Sequence, residues 1–366
     1  MKRPRIIKAG AEARFLLDVL AGGAPDPGKV DDDALAALAG EEGLSGFLWE
    51  RLSRAGRTPP EGLKRRYLAA AAKNTLAREA LANLDRALEG TGLSVMVHKG
   101  ASLAFSVYPD PGQRPMEDVD LLVREEQRPA LAEVLEGLGY GAQPRAPHLF
   151  FGPAARVDLH THLLAVERVP ARARLVPAGM APVWEAAAPL EGFINLLTPC
   201  PEDGLLFLSL HGLKHSFSRL VWLLDLDLLL EQGGKALCRS AARRAWEMGQ
   251  PRPLALSGWL VQEVFGRDLS ALLEGLPGLR PHEKAILGLR ARGESMDRLG
   301  EVLLAGCIPG WRGRAAFFRD VAFPAADPGP AGERGARGRL LRLASAGRMA
   351  ASGAARLLRA LAGGKR

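Results

Sequence analysis

Residues 95–123 read VMVHKGASLAFSVYPDPGQRPMEDVDLLV, and their interpretation decides the fold. An apolar strand over 93–97 runs into Lys99-Gly100, small residues open a short helix over 101–107, and Pro109-Asp110-Pro111-Gly112 is strong turn chemistry. A second strand over 118–123 begins with Asp118 and Asp120. Side chains two apart on a strand share a face, so the two carboxylates project together and Val119 points away. Strand interiors disfavour Asp, which implies that something compensates the pair. Carboxylates held on a rigid strand suit Mg²⁺, a hard cation that takes oxygen ligands and substrate phosphates. Upstream, the Lys99-Gly100-Ala101-Ser102 turn offers the N–H groups and positive dipole end of a helix to phosphate. A phosphate cradle and a metal-binding pair in one short unit point to nucleotidyl transfer.

Working outward, the pattern predicts a helix over 126–138 and strands over 148–151 and 156–162. The turn at 109–112 is expected to form a loop able to close over a nucleotide. Before the core, helices are expected over 11–20, over 34–39 with capping from Asp31-Asp32-Asp33, over 41–55 and over 61–88. In the last of these, Leu76, Leu81, Leu84 and Leu88 are expected to face the core. After it, residues 181–295 read as mostly helical, one helix starting at Pro201 with acids in its first turn.

These residues resemble the uncharacterised bacterial nucleotidyltransferases of the DNA-polymerase-beta superfamily. The resemblance rests on Lys99-Gly100 after an apolar strand, Arg114-Pro115-Met116-Glu117-Asp118-Val119-Asp120-Leu121-Leu122-Val123, Leu138-Gly139-Tyr140, Val157-Asp158-Leu159-His160, and Leu210-His211-Gly212-Leu213-Lys214-His215 with Arg219 to Asp225. One departure is the phosphate turn, where Gly100-Ala101-Ser102 replaces the usual Gly-Gly or Gly-Ser. The resemblance implies an α/β (α+β) fold: a small mixed-sheet nucleotidyltransferase core flanked by N-terminal helices and a C-terminal helical domain. The expected boundaries are 1–90, 91–180, 181–324, and a Pro/Gly linker with a basic tail over 325–366. It also implies a third acid, Asp158, on a strand beside the first pair. Asp118, Asp120 and Asp158 would then bind two Mg²⁺ ions, or Mn²⁺, and carry catalysis.

Lys99, Gly100, Ser102 and Arg114 are the candidate nucleotide ligands, Lys as a point charge and Arg as a fork. Arg114 has a second open reading, as a brace for the carboxylates. His98 reads as structural. Asp225 is expected to pair with Arg219 or Lys214. His160, His211, Lys214 and His215 are candidate acceptor or accessory residues. His160 with His162, and His211 with His215, form two same-face pairs, but their spacing fits no zinc signature. On like-charge grounds, Asp120→Asn is expected to leave the melting temperature without Mg²⁺ nearly unchanged or to raise it.

The formal net charge is +8. Arg334, Arg337, Arg339, Arg342, Arg348, Arg356, Arg359, Lys365 and Arg366 stand against Glu333 alone, so the tail carries the whole excess. The neutral body argues against a large basic nucleic-acid groove, whereas the tail is suited to an anionic partner. Cys200, Cys238 and Cys307 are far apart, which argues against disulfides and a thiolate zinc site. No run is apolar enough to be a transmembrane segment, and the chain reads as cytoplasmic. The activity implied is transfer of NMP from an NTP, such as ATP, to an unidentified acceptor with release of pyrophosphate. A small molecule, sugar phosphate or peptide is favoured as acceptor. The alternatives are a toxin-like enzyme acting on RNA and a non-catalytic nucleotide-binding or scaffold protein.

Overall fold

The computed structural model describes residues 10–25, 30–144, 146–164, 166 and 169–323. The expected basic tail at 325–366 therefore lies outside the described residues.

Four helices precede the sheet: α1 (Ala11–Leu20), α2 (Asp32–Glu41), α3 (Ser45–Arg54) and α4 (Glu61–Ala87). Asp31 caps α2 by accepting the Ala34 N–H at 2.8 Å, as its position before an apolar run dictates. Leu44, Phe47, Leu48 and Leu52 are buried as their spacing requires. On α4 the expected stripe is rotated by one residue. Leu81, Leu84 and Leu88 are buried with Ala77 and Ala80, whereas Leu76 is 46% exposed. A helix places i and i+4 on one face, so Ala77 precedes Leu81 on the buried side and Leu76 does not.

The core follows with β1 (Val95–His98), α5 (Lys99–Ser106), β2 (Val119–Val123), α6 (Arg128–Gly137), β3 (Gly141–Gln143), β4 (Ala146–Phe151) and β5 (Arg156–His160). Next come α7 (Ala181–Glu185), β6 (Ala188–Pro189), β7 (Leu196–Thr198), α8 (Pro201–Lys214), α9 (Val221–Glu247), α10 (Pro251–Phe265), α11 (Ser270–Leu273), α12 (Pro281–Ala291), α13 (Leu299–Cys307) and α14 (Trp311–Ala322). The chain is thus a mixed α/β protein with one seven-stranded sheet in the order β3-β4-β5-β2-β1-β7-β6. Strands β2 and β5 are parallel, as are β1 and β7, and the other pairs are antiparallel. Strands β6 and β7 interrupt a segment that reads as helical, because two- and three-residue strands leave no period to detect.

The two sheet faces bury different clusters. Val95, Val97, Val119, Leu121, Val157 and Leu159 pack under α4 and α6. On the opposite face, Met96 and Leu122 join a larger cluster with residues of α1–α3 and of the helices after β7. This second cluster is closed by Glu42, at the end of α2. Glu42 is buried and ion-paired to Arg290 of α12, and it accepts the Leu220 N–H at 2.7 Å. Among the described residues no helix is long and apolar enough to cross a membrane.

The loop expected to close over a nucleotide is instead fastened to α3 and α4. Asn74 donates to the carbonyls of Pro111 (2.6 Å) and Arg114 (2.8 Å), and the Tyr67 hydroxyl donates to Asp110 at 2.7 Å. Gly46 admits the loop backbone, since a Cβ there would stand 2.4 Å from the Gly112 carbonyl oxygen. Asn74→Ala leaves two carbonyls without their donor. It is expected to cost about 1–3 kcal/mol, read as a lower urea midpoint together with faster proteolytic nicking at 109–113.

Candidate active site

Register builds the site. His98 pairs with Asp120 across β1 and β2, and Asp120 pairs with Asp158 across β2 and β5, with His160 two residues further on. Paired residues share a face, so His98, Asp120, Asp158 and His160 stand together where the apolar face of Met96 and Leu122 turns polar.

Asp120 is the hub. One of its oxygens, Oδ1, accepts from Lys99 Nζ at 2.5 Å and lies 3.0 Å from His160 Nε2. Burial alone would raise its pKa. The Lys99 ammonium, the His160 hydrogen bond and nearby His98 outweigh burial and hold it well below the usual carboxylate range. His160 also reaches Asp158 Oδ2 at 3.2 Å. Burial disfavours its cation, yet the bonds to Asp120 and Asp158 raise its pKa. Asp158 Oδ1 is buried without a hydrogen-bond partner. Asp118 lies just before β2 and accepts from Arg156 at 2.7 Å. Burial and the charge of Asp120 push its pKa up against the pull of Arg156.

Lys99 owes its reach to an unusual backbone. Its φ is +54° at the junction of β1 and α5, a left-handed conformation that costs a side chain-bearing residue on the order of 1–3 kcal/mol. Gly100 is closely packed: a Cβ there would sit 3.2 Å from Met116 Cγ and 3.4 Å from Arg114 Nη1. Ser102 does not present a free hydroxyl: its Oγ is 2.6 Å from Thr198 Oγ1 on β7.

Arg114 is buried. Its Nε and Nη2 donate to Asp225 at 2.7 and 2.8 Å, its Nη1 donates to the Pro115 carbonyl at 2.7 Å, and Tyr108 donates to the same Asp225 at 2.7 Å. The partner of Asp225 is thus Arg114, not Arg219 or Lys214. Sequence spacing cannot show a bond across 111 residues.

Helix α8 faces this edge of the sheet. Lys214, half-buried at its last turn, has its pKa lowered to about 8, chiefly by burial and then by Arg172 and Lys99. His211 is held well below its ordinary value by burial and by Lys99. The His211 and His215 rings lie 4.7 Å apart and both rest against Trp222. They do not join His160 and His162 in a metal group. Among the described residues, the group of three or more with metal-ligating atoms close together is His98, Asp120 and His160.

His98, read from the sequence as structural, stands on the same face as Asp120 and His160. It is 2% exposed, neither ring nitrogen has a hydrogen-bond partner, and its ring stands edge-on to His160 at 5.6 Å. Its alternation with Met96 on β1 was a signal for this face. Arg156 also went unread, although its place two before Asp158 mirrors that of Asp118 before Asp120. Arg172, paired to Glu301 at 2.8 Å, had no local signal at all.

Comparison with curated proteins and with solved structures gives no match. A protein-family model described as "Uncharacterised nucleotidyltransferase" matches residues 28–266, more than half of the chain. With its mixed sheet, its carboxylates on adjacent strands and this match, the chain belongs to the uncharacterised nucleotidyltransferase family.

Proposed function

We propose that the protein transfers NMP from an NTP to a hydroxyl-bearing acceptor, releasing pyrophosphate, and that a divalent cation assists. The observation that carries this reading is the direct pairing of Asp120 with Asp158 in parallel strands, with Asp118 two residues before Asp120. The donor set fits a dication: clustered carboxylates, an imidazole against two of them, and an orphaned buried oxygen on Asp158. Asp118, Asp120 and Asp158 would hold the metal, which supplies neutralisation of the triphosphate and polarisation of the phosphoryl group under attack.

The remaining steps belong to the chain. Asp158 orients the acceptor hydroxyl and takes its proton as the oxygen attacks the α-phosphorus and the bond to pyrophosphate breaks. Lys99 and Lys214 supply cations to the β- and γ-phosphates, and the Lys99–Ser102 turn supplies backbone N–H groups. Arg114 braces the site from behind through Asp225. Most of the rate gain then comes from positioning and charge, as in-line phosphoryl transfer requires. A small molecule, sugar phosphate or peptide remains the proposed acceptor class.

The test is calorimetric binding of ATP, GTP, CTP and UTP, with and without Mg²⁺, to the wild type and to an Asp118→Asn, Asp120→Asn double variant. Metal-dependent binding that vanishes in the variant supports the reading. Binding indifferent to both metal and variant would sink it.

Lys214 gives this site a pH dependence. Its ammonium is present below its pKa of about 8 and is lost above it. Nucleotide affinity is expected to fall about tenfold as pH rises through that value, the worth of one partly screened charge contact. In Lys214→Met this step should be missing from the affinity–pH profile.

A further inference from the structure

We propose that His98, Asp120 and His160 form a mixed imidazole–carboxylate centre that selects a borderline transition-metal dication, of the Zn²⁺ or Co²⁺ kind, over Mg²⁺. This deepens the nucleotidyl-transfer reading and shares Asp120 with it.

Four observations converge. The ligand atoms of the three residues all lie within 4.8 Å of one another, so small side-chain adjustments bring them onto one ion. Second, His98 is 2% exposed with both ring nitrogens unpartnered. Buried polar atoms are nearly always satisfied, and an orphan calls for an explanation such as an ion. Third, Asp158 Oδ1 is a second orphan, on the residue directly paired with Asp120. Asp158 lies beside the three ligands rather than among them, its other oxygen 3.2 Å from His160 Nε2. Fourth, His98, Asp120 and His160 sit on three adjacent, hydrogen-bonded strands, and a sheet holds ligand geometry better than loops do.

The choice of metal follows from the donors. Mg²⁺ demands near-octahedral oxygen coordination and is reluctant to shed water. Imidazole nitrogen suits zinc and its neighbours in the first transition row. Two imidazoles among three ligands make a poor magnesium site. Lys99 shares Asp120 Oδ1, so its ammonium and a cation held in the centre would compete for that oxygen.

The test uses the full chain, stripped with a chelator and free of nucleotide. Zn²⁺, Co²⁺ and Mg²⁺ are titrated separately by equilibrium dialysis with metal analysis, and the Co²⁺ form is examined by visible absorption. One equivalent of Co²⁺ or Zn²⁺ is expected, bound about 100-fold more tightly than Mg²⁺, with d–d bands altered by nitrogen ligation. His98→Gln and His160→Gln should each weaken Co²⁺ by about tenfold or more and leave Mg²⁺ much less affected. Circular dichroism and melting check that each variant is folded. Equal Co²⁺ and Mg²⁺ affinities, unmoved by either variant, would overturn the proposal. So would the absence of Co²⁺ binding by the wild type. The two readings fail separately. Metal binding indifferent to His98 with intact Asp120-dependent NTP binding removes only the mixed centre. His98-dependent Co²⁺ binding with no NTP binding removes only nucleotidyl transfer.

Discussion

Asp120→Asn is expected to lower kcat/KM for NMP transfer by on the order of 10³-fold, the scale for removing a central charge-stabilising group. Of the three acids, Asp120 alone touches both Lys99 and His160. The same change should also lower the melting temperature. The folded-state pKa of Asp120 is depressed, so its charge adds stability above the unfolded value, lost only as pH falls through the folded one. At neutral pH the Asn variant forfeits that contribution and leaves a largely buried Lys99 without its counter-charge. This reverses the sequence expectation, which weighed only repulsion between Asp118 and Asp120. That argument applies to Asp118, whose pKa is raised by burial and by Asp120. Asp118→Asn should keep an acceptor for Arg156 and leave the melting temperature unchanged or higher. Pyrophosphate release and thermal melts on both variants decide the matter. Full activity in Asp120→Asn would remove the carboxylates from the mechanism.

Arg114→Met is expected to destabilise the fold by about 3–5 kcal/mol, because it strands Asp225 as an unpaired buried charge. Asp225 is 0% exposed and receives three donor atoms, two from Arg114 and one from Tyr108. Arg114→Lys should recover little, since a point charge cannot reproduce two parallel bonds. Tyr108→Phe should cost only about 1–2 kcal/mol. An Arg114→Met, Asp225→Leu double variant should be less damaged than either single variant, because replacing a buried pair by apolar groups avoids the orphaned charge. Urea unfolding of the set gives the coupling. If Arg114 were a phosphate ligand, Arg114→Met would weaken NTP binding with stability intact.

Much of this architecture was legible because it is local. The Asp31 cap, the start of α8 at Pro201 and the strand–turn–helix at Lys99 are each written in a few adjacent residues. The alternation of Asp118, Asp120 and Leu122 likewise fixed a face before any partner strand was known. Legibility ended where partners are remote. Ser102 meets Thr198 across 96 positions and Arg172 meets Glu301 across 129, and no periodicity encodes such contacts. The polar environment of His98 was not legible for a different reason. A lone histidine ending an apolar strand most often satisfies a hydrogen bond, and only the folded structure shows that both of its ring nitrogens lack a partner. The loop at 109–112 carried an unmistakable turn signal, but turn chemistry says nothing about what fastens it.

The pairing of Glu42 with Arg290 has a consequence for biosynthesis. The two residues are 248 positions apart, and ribosomes add roughly 5–20 residues per second, so Glu42 waits roughly 10–50 s for its partner. Helix α4 covers parts of α2 and α3 early, but the side of α1 that packs on α10 stays uncovered until residues 251–265 are made. The nascent chain therefore presents hydrophobic surface early and shields it late, the condition under which holding chaperones bind and under which slower translation lengthens the exposure to aggregation.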